Sequence, residues 1–280
     1  MRIELLGPLV VMTTGDVHVR VAAGKQRSLL AALAVQARDV VPADTLAEAI
    51  WDAEPPRSWE VTLRNYVRRL RVVLGAATGG RIMTSPPGYL LKADNDEVDV
   101  LAFEVLRRDG LAAARGGDWP RAAVKLSQAE SLWRGTPFAD IPSRSVRDAN
   151  LPYLQEARLT VLQTRIDADL RLSHAADVIP ELQRLTSQYP ARERFRAQLM
   201  LALYRSGRQA DALAEFRSAR QFSVAELGLG PGPEITDLHQ RILRADEGLL
   251  LSWAGLGPGR ATGALPARDL AGSGLSHRRQ

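Results

Sequence analysis

Arg64, Asn65, Arg68, Arg69 and Arg71 fall within one short stretch, and no carboxylate follows Glu60 in it. Arg and Asn are the side chains that read guanine and adenine edges bidentately in the major groove of DNA. At about 100° per residue, Leu63, Val67, Leu70 and Leu74 form one apolar stripe of a helix over residues 58–74. Ser58 suits its N-cap and Gly75 its stop. The opposite face carries Thr62, Asn65, Arg68 and Arg69, with Arg64 and Arg71 at its flank. An exposed helix ordinarily mixes charge signs, so arginines without acidic neighbours favour an anionic partner.

That helix has to be held by other elements. Ile3 and Leu5 alternate with polar residues, and Leu9-Val10-Val11 resumes the apolar pattern after Gly7-Pro8. Val17, Val19 and Val21 alternate with His18 and Arg20, which predicts a second strand after a turn at Thr14-Gly15-Asp16. Helices are expected over 25–38 and from Pro42 through Trp51. After the arginine helix, 81–84 and 89–91 read as strands joined by Ser85-Pro86-Pro87-Gly88. Strands, three helices and a terminal hairpin describe a winged helix-turn-helix, whose recognition helix enters the major groove. Lys25 and Arg27 at the start of the first helix are candidate phosphate contacts, since helix N-termini attract anions. Arg81 and Tyr89 on the wing strands complete the candidate DNA-binding set. The helix alone is more often a solvated face than a reader in a chain with 34 Arg and three Lys; the hairpin behind it reverses those odds.

From Asp99 to about residue 244 the patterns are helical, in roughly seven helices, and strand signals are absent. A repeat runs through them. Ala122, Leu126 and Ala129 follow Gly117 at the same offsets at which Ala212, Phe216 and Ala219 follow Gly207, and Ser173, Val178 and Leu182 fit the first three positions. The 34 residues from Ser173 to Gly207 are the tetratricopeptide period. Overall the chain reads as mainly α: an α+β winged helix over 1–93, an all-α tetratricopeptide-like array over 94–246, and a disordered tail over 247–280. Asp94, Asp96, Glu97 and Asp99 read as a solvated linker with Asp99 as an N-cap.

Composition narrows the function classes. Formal net charge is +5, of which residues 1–93 carry 12 basic and 8 acidic side chains. Cysteine is absent and the four histidines are scattered, which excludes disulfides, iron–sulfur clusters and thiolate zinc sites. Gly24-Lys25 lacks the remainder of a P-loop, and Gly228, Gly230 and Gly232 follow a helix rather than a strand. No apolar run approaches the ~18 residues of a membrane span. The expectation is a cytoplasmic, nucleoid-associated protein with no membrane contact, no enzymatic activity, no cofactor and no metal.

The ordered motifs Leu6-Gly7-Pro8-Leu9, Ile50-Trp51, Thr62-Leu63 and Pro86-Pro87-Gly88-Tyr89-Leu90-Leu91 resemble those of the Streptomyces antibiotic regulatory proteins. Leu132-Trp133-Arg134-Gly135, Arg192-Glu193-Arg194, Gly207-Arg208-Gln209-Ala210 and Pro231-Gly232-Pro233-Glu234-Ile235 are similar to their bacterial transcriptional activation domain. The resemblance covers residues 1–245 and implies an OmpR-type DNA-binding domain followed by that activation domain. It implies binding, as side-by-side protomers, to direct repeats in double-stranded promoter DNA of secondary-metabolite (antibiotic) clusters, and recruitment of RNA polymerase holoenzyme through its sigma factor and core subunits. The recognition positions it carries over are Thr62, Arg64, Asn65, Arg68, Arg69 and Arg71; Arg64-Asn65-Tyr66 departs from the smaller or Gln-type residues of the family. Two other readings remain: a tetratricopeptide adaptor whose basic module binds an acidic protein, and a repressor using the same DNA module.

Overall fold

A computed structural model describes residues 1–251 except 14, 16 and 53. Two short strands, β1 (Arg2–Glu4) and β2 (Val10–Met12), form an antiparallel pair with Ile3 opposite Val11. The strand expected over 17–21 is reduced to one bridge between His18 and Met12 and two backbone hydrogen bonds, Thr13 N to Val17 O and Val19 N to Val11 O. Its alternation still turns Val21 inward and half-buries Val19, but Val17 is exposed and the chain passes directly into α1 (Gly24–Val35). The turn expected at 14–16 lies in part outside the described residues.

A strand not foreseen in the sequence, β3 (Val40–Pro42), precedes α2 (Ala43–Trp51) and α3 (Trp59–Gly79), after which β4 (Ile82–Ser85) and β5 (Gly88–Leu91) make the hairpin. The sheet order is β3-β5-β4, all antiparallel, with Val41 opposite Tyr89 and Pro42 opposite Gly88. Gly88 is the tightest point. A Cβ there would lie 1.9 Å from Val41 O, so only glycine lets β5 run against β3. The regular helix of α3 breaks at Gly75 (φ 76°, ψ 166°), which is where the sequence stops it. Ser58 occupies the N-cap position, but its side chain makes no cap hydrogen bond.

The helical array contains α4 (Asp99–Arg115), α5 (Trp119–Ser131), α6 (Arg144–Arg171), α7 (Ile179–Gln188), α8 (Glu193–Arg205), α9 (Gln209–Leu227), α10 (Pro233–Leu243) and the short α11 (Gly248–Leu251). The repeat is structural. Gly117, Ser173 and Gly207 all have left-handed φ, between 68° and 79°, at the turn that leads into α5, α7 and α9. Ala122, Leu126, Ala129, Val178, Leu182, Ala212, Phe216 and Ala219 are buried at the helix crossings. Helix α6 starts seven residues earlier than the periodicity suggested, because Ser143 caps it by accepting Val146 N at 3.2 Å and Pro152 is tolerated inside. The first residues of the expected tail are helical instead, as α11. In α11 Leu249 is buried and its carbonyl accepts Arg205 Nε at 2.7 Å, so an apolar anchor overrides the glycine-rich composition there. Residues 252–280 lie outside the described residues.

The hydrophobic cores do not divide at residue 93. One core runs from Ile3, Leu29, Leu63 and Leu91 through Phe103, Leu126 and Phe138 to Leu154 and Val161. A second holds Leu159, Ile166 and Leu170 with the side chains of α7 to α11. The long helix α6 therefore contributes to both.

Candidate nucleic-acid interface

Helix α3 is seated by Leu63, Val67, Leu70 and Leu74, all buried, and by Tyr66, which stacks on Trp51 of α2 at 5.8 Å. This seating leaves Arg64, Asn65, Arg68 and Arg69 exposed, with no hydrogen bond or ion pair to any described residue. Thr62 is half-buried beside them and its hydroxyl donates to Ser58 O at 3.0 Å, one turn back. Unpaired guanidinium and amide groups on one rigid face, all donor-rich, suit base edges and phosphates.

The remaining candidate residues are engaged within the protein. Arg71 donates from Nε and Nη2 to Ile82 O at 2.9 and 2.7 Å and from Nη2 to Thr84 Oγ1 at 3.1 Å, which ties α3 to the wing strand β4. Arg81 donates to both oxygens of Glu97 and, through Nε, to Lys92 O. Lys25 Nζ donates to Ile50 O at 2.9 Å and lies 5.6 Å from the Trp51 ring centre. Arg27 donates to Ala22 O at 2.7 Å and to Asp140 O at 3.0 Å. Tyr89 is buried in β5. Between α3 and the wing lies a cleft of about 390 Å³ whose lining includes Trp59, Arg64, Pro86, Pro87 and Tyr89. The exposed Pro86-Pro87 tip stands at its mouth, joined by a cis peptide bond.

Within the acidic stretch 94–99, Asp94 and Asp96 are exposed as a solvated linker requires, but Glu97 and Asp99 are drawn into the protein, and Asp99 does not cap α4. The N-cap is Val98, and the Asp99 carboxylate, 5% exposed, points the other way and accepts Leu5 N and Leu6 N at 2.7–2.8 Å. Burial pushes its pKa up to about 6 despite those hydrogen bonds and the Arg134 charge. Glu97 is held down to about 2, first by its hydrogen bonds from Arg81. Around them Ile3 N donates to Glu97 O, Arg134 N to Leu6 O, Phe138 N to Leu5 O, and Arg134 pairs with Glu4 at 2.8 Å. On the other side Asp52 accepts Ser145 N at 3.0 Å, and that hydrogen bond lowers its pKa. The signal that could have exposed this seam is Leu5-Leu6 followed by Gly7-Pro8: two buried residues whose N–H groups have no strand partner and must find an acceptor.

Among the described residues no group of His, Asp or Glu side chains is arranged to hold a metal ion, and no helix is long and apolar enough to cross a membrane.

Comparison with known proteins agrees with this architecture. The family described as "Transcriptional regulatory protein, C terminal" matches residues 21–91, and that described as "Bacterial transcriptional activator domain" matches 98–243. Regulatory protein DnrI of Streptomyces peucetius is 39% identical over 257 residues, covering 89% of this chain and 94% of that protein. Regulatory protein AfsR of Streptomyces griseus is 36% identical over 89% of this chain, which spans only 25% of that longer protein. The structure of Mycobacterium tuberculosis EmbR, in complex with a low affinity phosphopeptide, superposes with a TM-score of 0.81 at 33% identity, covering 87% of this chain and 65% of that one. The chain belongs to the Streptomyces antibiotic regulatory protein family of transcriptional activators, with an OmpR-type winged helix followed by a bacterial transcriptional activator domain.

Proposed function

We propose that the chain activates transcription by laying α3 in the major groove of promoter DNA and contacting RNA polymerase holoenzyme. The observation that carries this reading is the face of Arg64, Asn65, Arg68 and Arg69, which has no partner among the described residues. Residues 1–93 act as the reading module, with Thr62 alongside the four and the Pro86-Pro87 tip near the backbone. Arg71, Arg81, Lys25 and Arg27 support DNA binding by bracing the module, and the free edges of their guanidinium and ammonium groups serve phosphates. Residues 94–246 contact polymerase sigma and core subunits. Two protomers bind side by side on direct repeats about one helical turn apart, upstream of a secondary-metabolite cluster. The protein works without catalysis or cofactor.

Footprinting on the promoters beside its own gene tests the proposal, with tandem protected repeats as the expected result. A salt series on that duplex must show a steep loss of affinity and a preference over random DNA. Binding that ignores duplex sequence points to the adaptor reading instead. In vitro transcription with holoenzyme separates activator from repressor by the sign of the change in transcript.

A further inference from the structure

Helix α9 carries a second face with the properties that single out α3, in the other half of the molecule. Its circumference divides into three sectors. Ala212, Phe216, Ala219 and Ser223 are buried against the array, and Phe216 stacks on His239 of α10 with ring centres 3.8 Å apart. Asp211 and Glu215 lie on a second sector, and each is used: Asp211 by Arg208 and Glu215 by Arg196, both at 2.7 Å. The third sector is Leu213, Arg217, Arg220, Val224 and Leu227, spaced i, i+4, i+7, i+11 and i+14, a single helical stripe. Arg217 and Arg220 are exposed and have no partner among the described residues. Val224 and Leu227 are 56% and 53% exposed, and Leu229, just beyond the helix, is 68% exposed. Glu226, the last carboxylate of α9, falls on the far side of the helix by its spacing.

An apolar strip continued by two cations without partners among the described residues, on a helix anchored along the adjacent side, is a preformed docking face. We infer that this stripe binds an acidic amphipathic helix of another protein, which sets apolar side chains on Val224, Leu227 and Leu229 and carboxylates on Arg217 and Arg220. Charge selects this occupant over the alternatives. Residues 252–280 of this chain carry four arginines and one aspartate, the same sign as the stripe. A second copy in a two-fold contact would bring arginines against arginines. An anionic lipid surface calls for a denser group of about 4–8 basic residues. The inference does not depend on what α3 reads.

The test uses the full chain and a fluorescein-labelled 18-residue helical peptide, with Leu at i, i+3, i+4 and i+7 and Glu on both flanks. Its counterpart has every Glu replaced by Lys. Anisotropy is expected to show the Glu peptide binding at least about tenfold tighter than the Lys peptide. The double variant R217E/R220E is expected to reverse that preference, which also shows that it is folded. The variant V224S/L227S is expected to weaken the Glu peptide about fivefold or more. Equal binding of both peptides, no binding of the Glu peptide, or an unchanged preference in R217E/R220E overturns the inference. So does adsorption to phosphatidylglycerol vesicles without peptide discrimination. Duplex DNA titrated in parallel reports on α3 separately. If R217E/R220E weakens that binding, the stripe is a DNA surface and the inference also fails.

Discussion

Both carboxylate oxygens of Asp99 accept the backbone N–H of Leu5, at 2.7 and 2.8 Å, across 94 residues of chain. The contact joins the segment just after β1 to the first helix of the array, in a buried setting that raises the Asp99 pKa to about 6. The folded protein therefore binds this proton more tightly than the unfolded chain does. Between about pH 4 and 6 stability falls as pH rises, by about 1–3 kcal/mol, and is level above. Thermal unfolding at stepped pH should show that slope in the parent and a flatter one in Asp99→Asn. An equal slope in both would assign it elsewhere.

Glu97 works in the opposite sense. Its pKa is depressed to about 2 by Arg81, so its contribution is present above the ordinary carboxylate range and is lost as pH falls through 4.5 toward 2. Glu97→Gln removes the charge paired with Arg81 and one of its three hydrogen-bond acceptors, and should cost about 1–3 kcal/mol at neutral pH. Urea titration at pH 7 and pH 3 measures it: the gap between parent and variant should narrow at the lower pH.

Reader and brace can be separated on α3. Arg69→Ala or Asn65→Ala should weaken promoter binding by about 1–3 kcal/mol while moving stability by no more than about 0.5 kcal/mol. Arg71→Ala removes three hydrogen bonds to Ile82 and Thr84, so it should lower the melting temperature as well as the DNA affinity. Gel-shift titration beside calorimetry distinguishes the two patterns.

Gly88→Ala places a methyl group into Val41 O and the Pro42 backbone. Neither can retreat without parting β3 from β5. A loss of about 2–4 kcal/mol is expected, visible as early loss of amide protection in Leu90 and Tyr89, the partners of Val40 and Val41. Protection equal to the parent would mean that the sheet yields more easily than its contacts imply.

Residues 1–93 should not fold alone. Truncation there strips Phe103, Leu126 and Phe138 from the core that Ile3, Leu29 and Leu63 share. A non-cooperative melt is expected for 1–93, and a cooperative one for the chain ending at 171, which keeps all of α6.

The apolar periodicities of α3, α5 and α9 were legible because each helix has one face turned to a core, and the repeat was legible because left-handed turns and close crossings restrict residue choice at Gly117 and Ala122. The exposed face of α3 was legible for the converse reason: its arginines meet no partner among the described residues. What the sequence hid was long-range. Three residues, Val40 to Pro42, become a strand only because Gly88 admits them. Asp99 looks like any helix-starting aspartate until Leu5 arrives from the other end of the chain. Lys25, Arg27 and Arg81 look like free cations until the carbonyls of Ile50, Ala22 and Lys92 are brought to them.

Helix α6 has 28 residues, about 42 Å at 1.5 Å each, with side chains in both cores. It packs against α2, which seats α3, and against α8, which packs against α9, so one continuous helix links the surroundings of the two faces. For a protein that reads DNA with α3, rotational phase along the duplex then becomes a variable of function. Moving the bound repeats by half a helical turn, about five base pairs, carries α9 to the opposite side of the double helix, while a full turn restores its bearing.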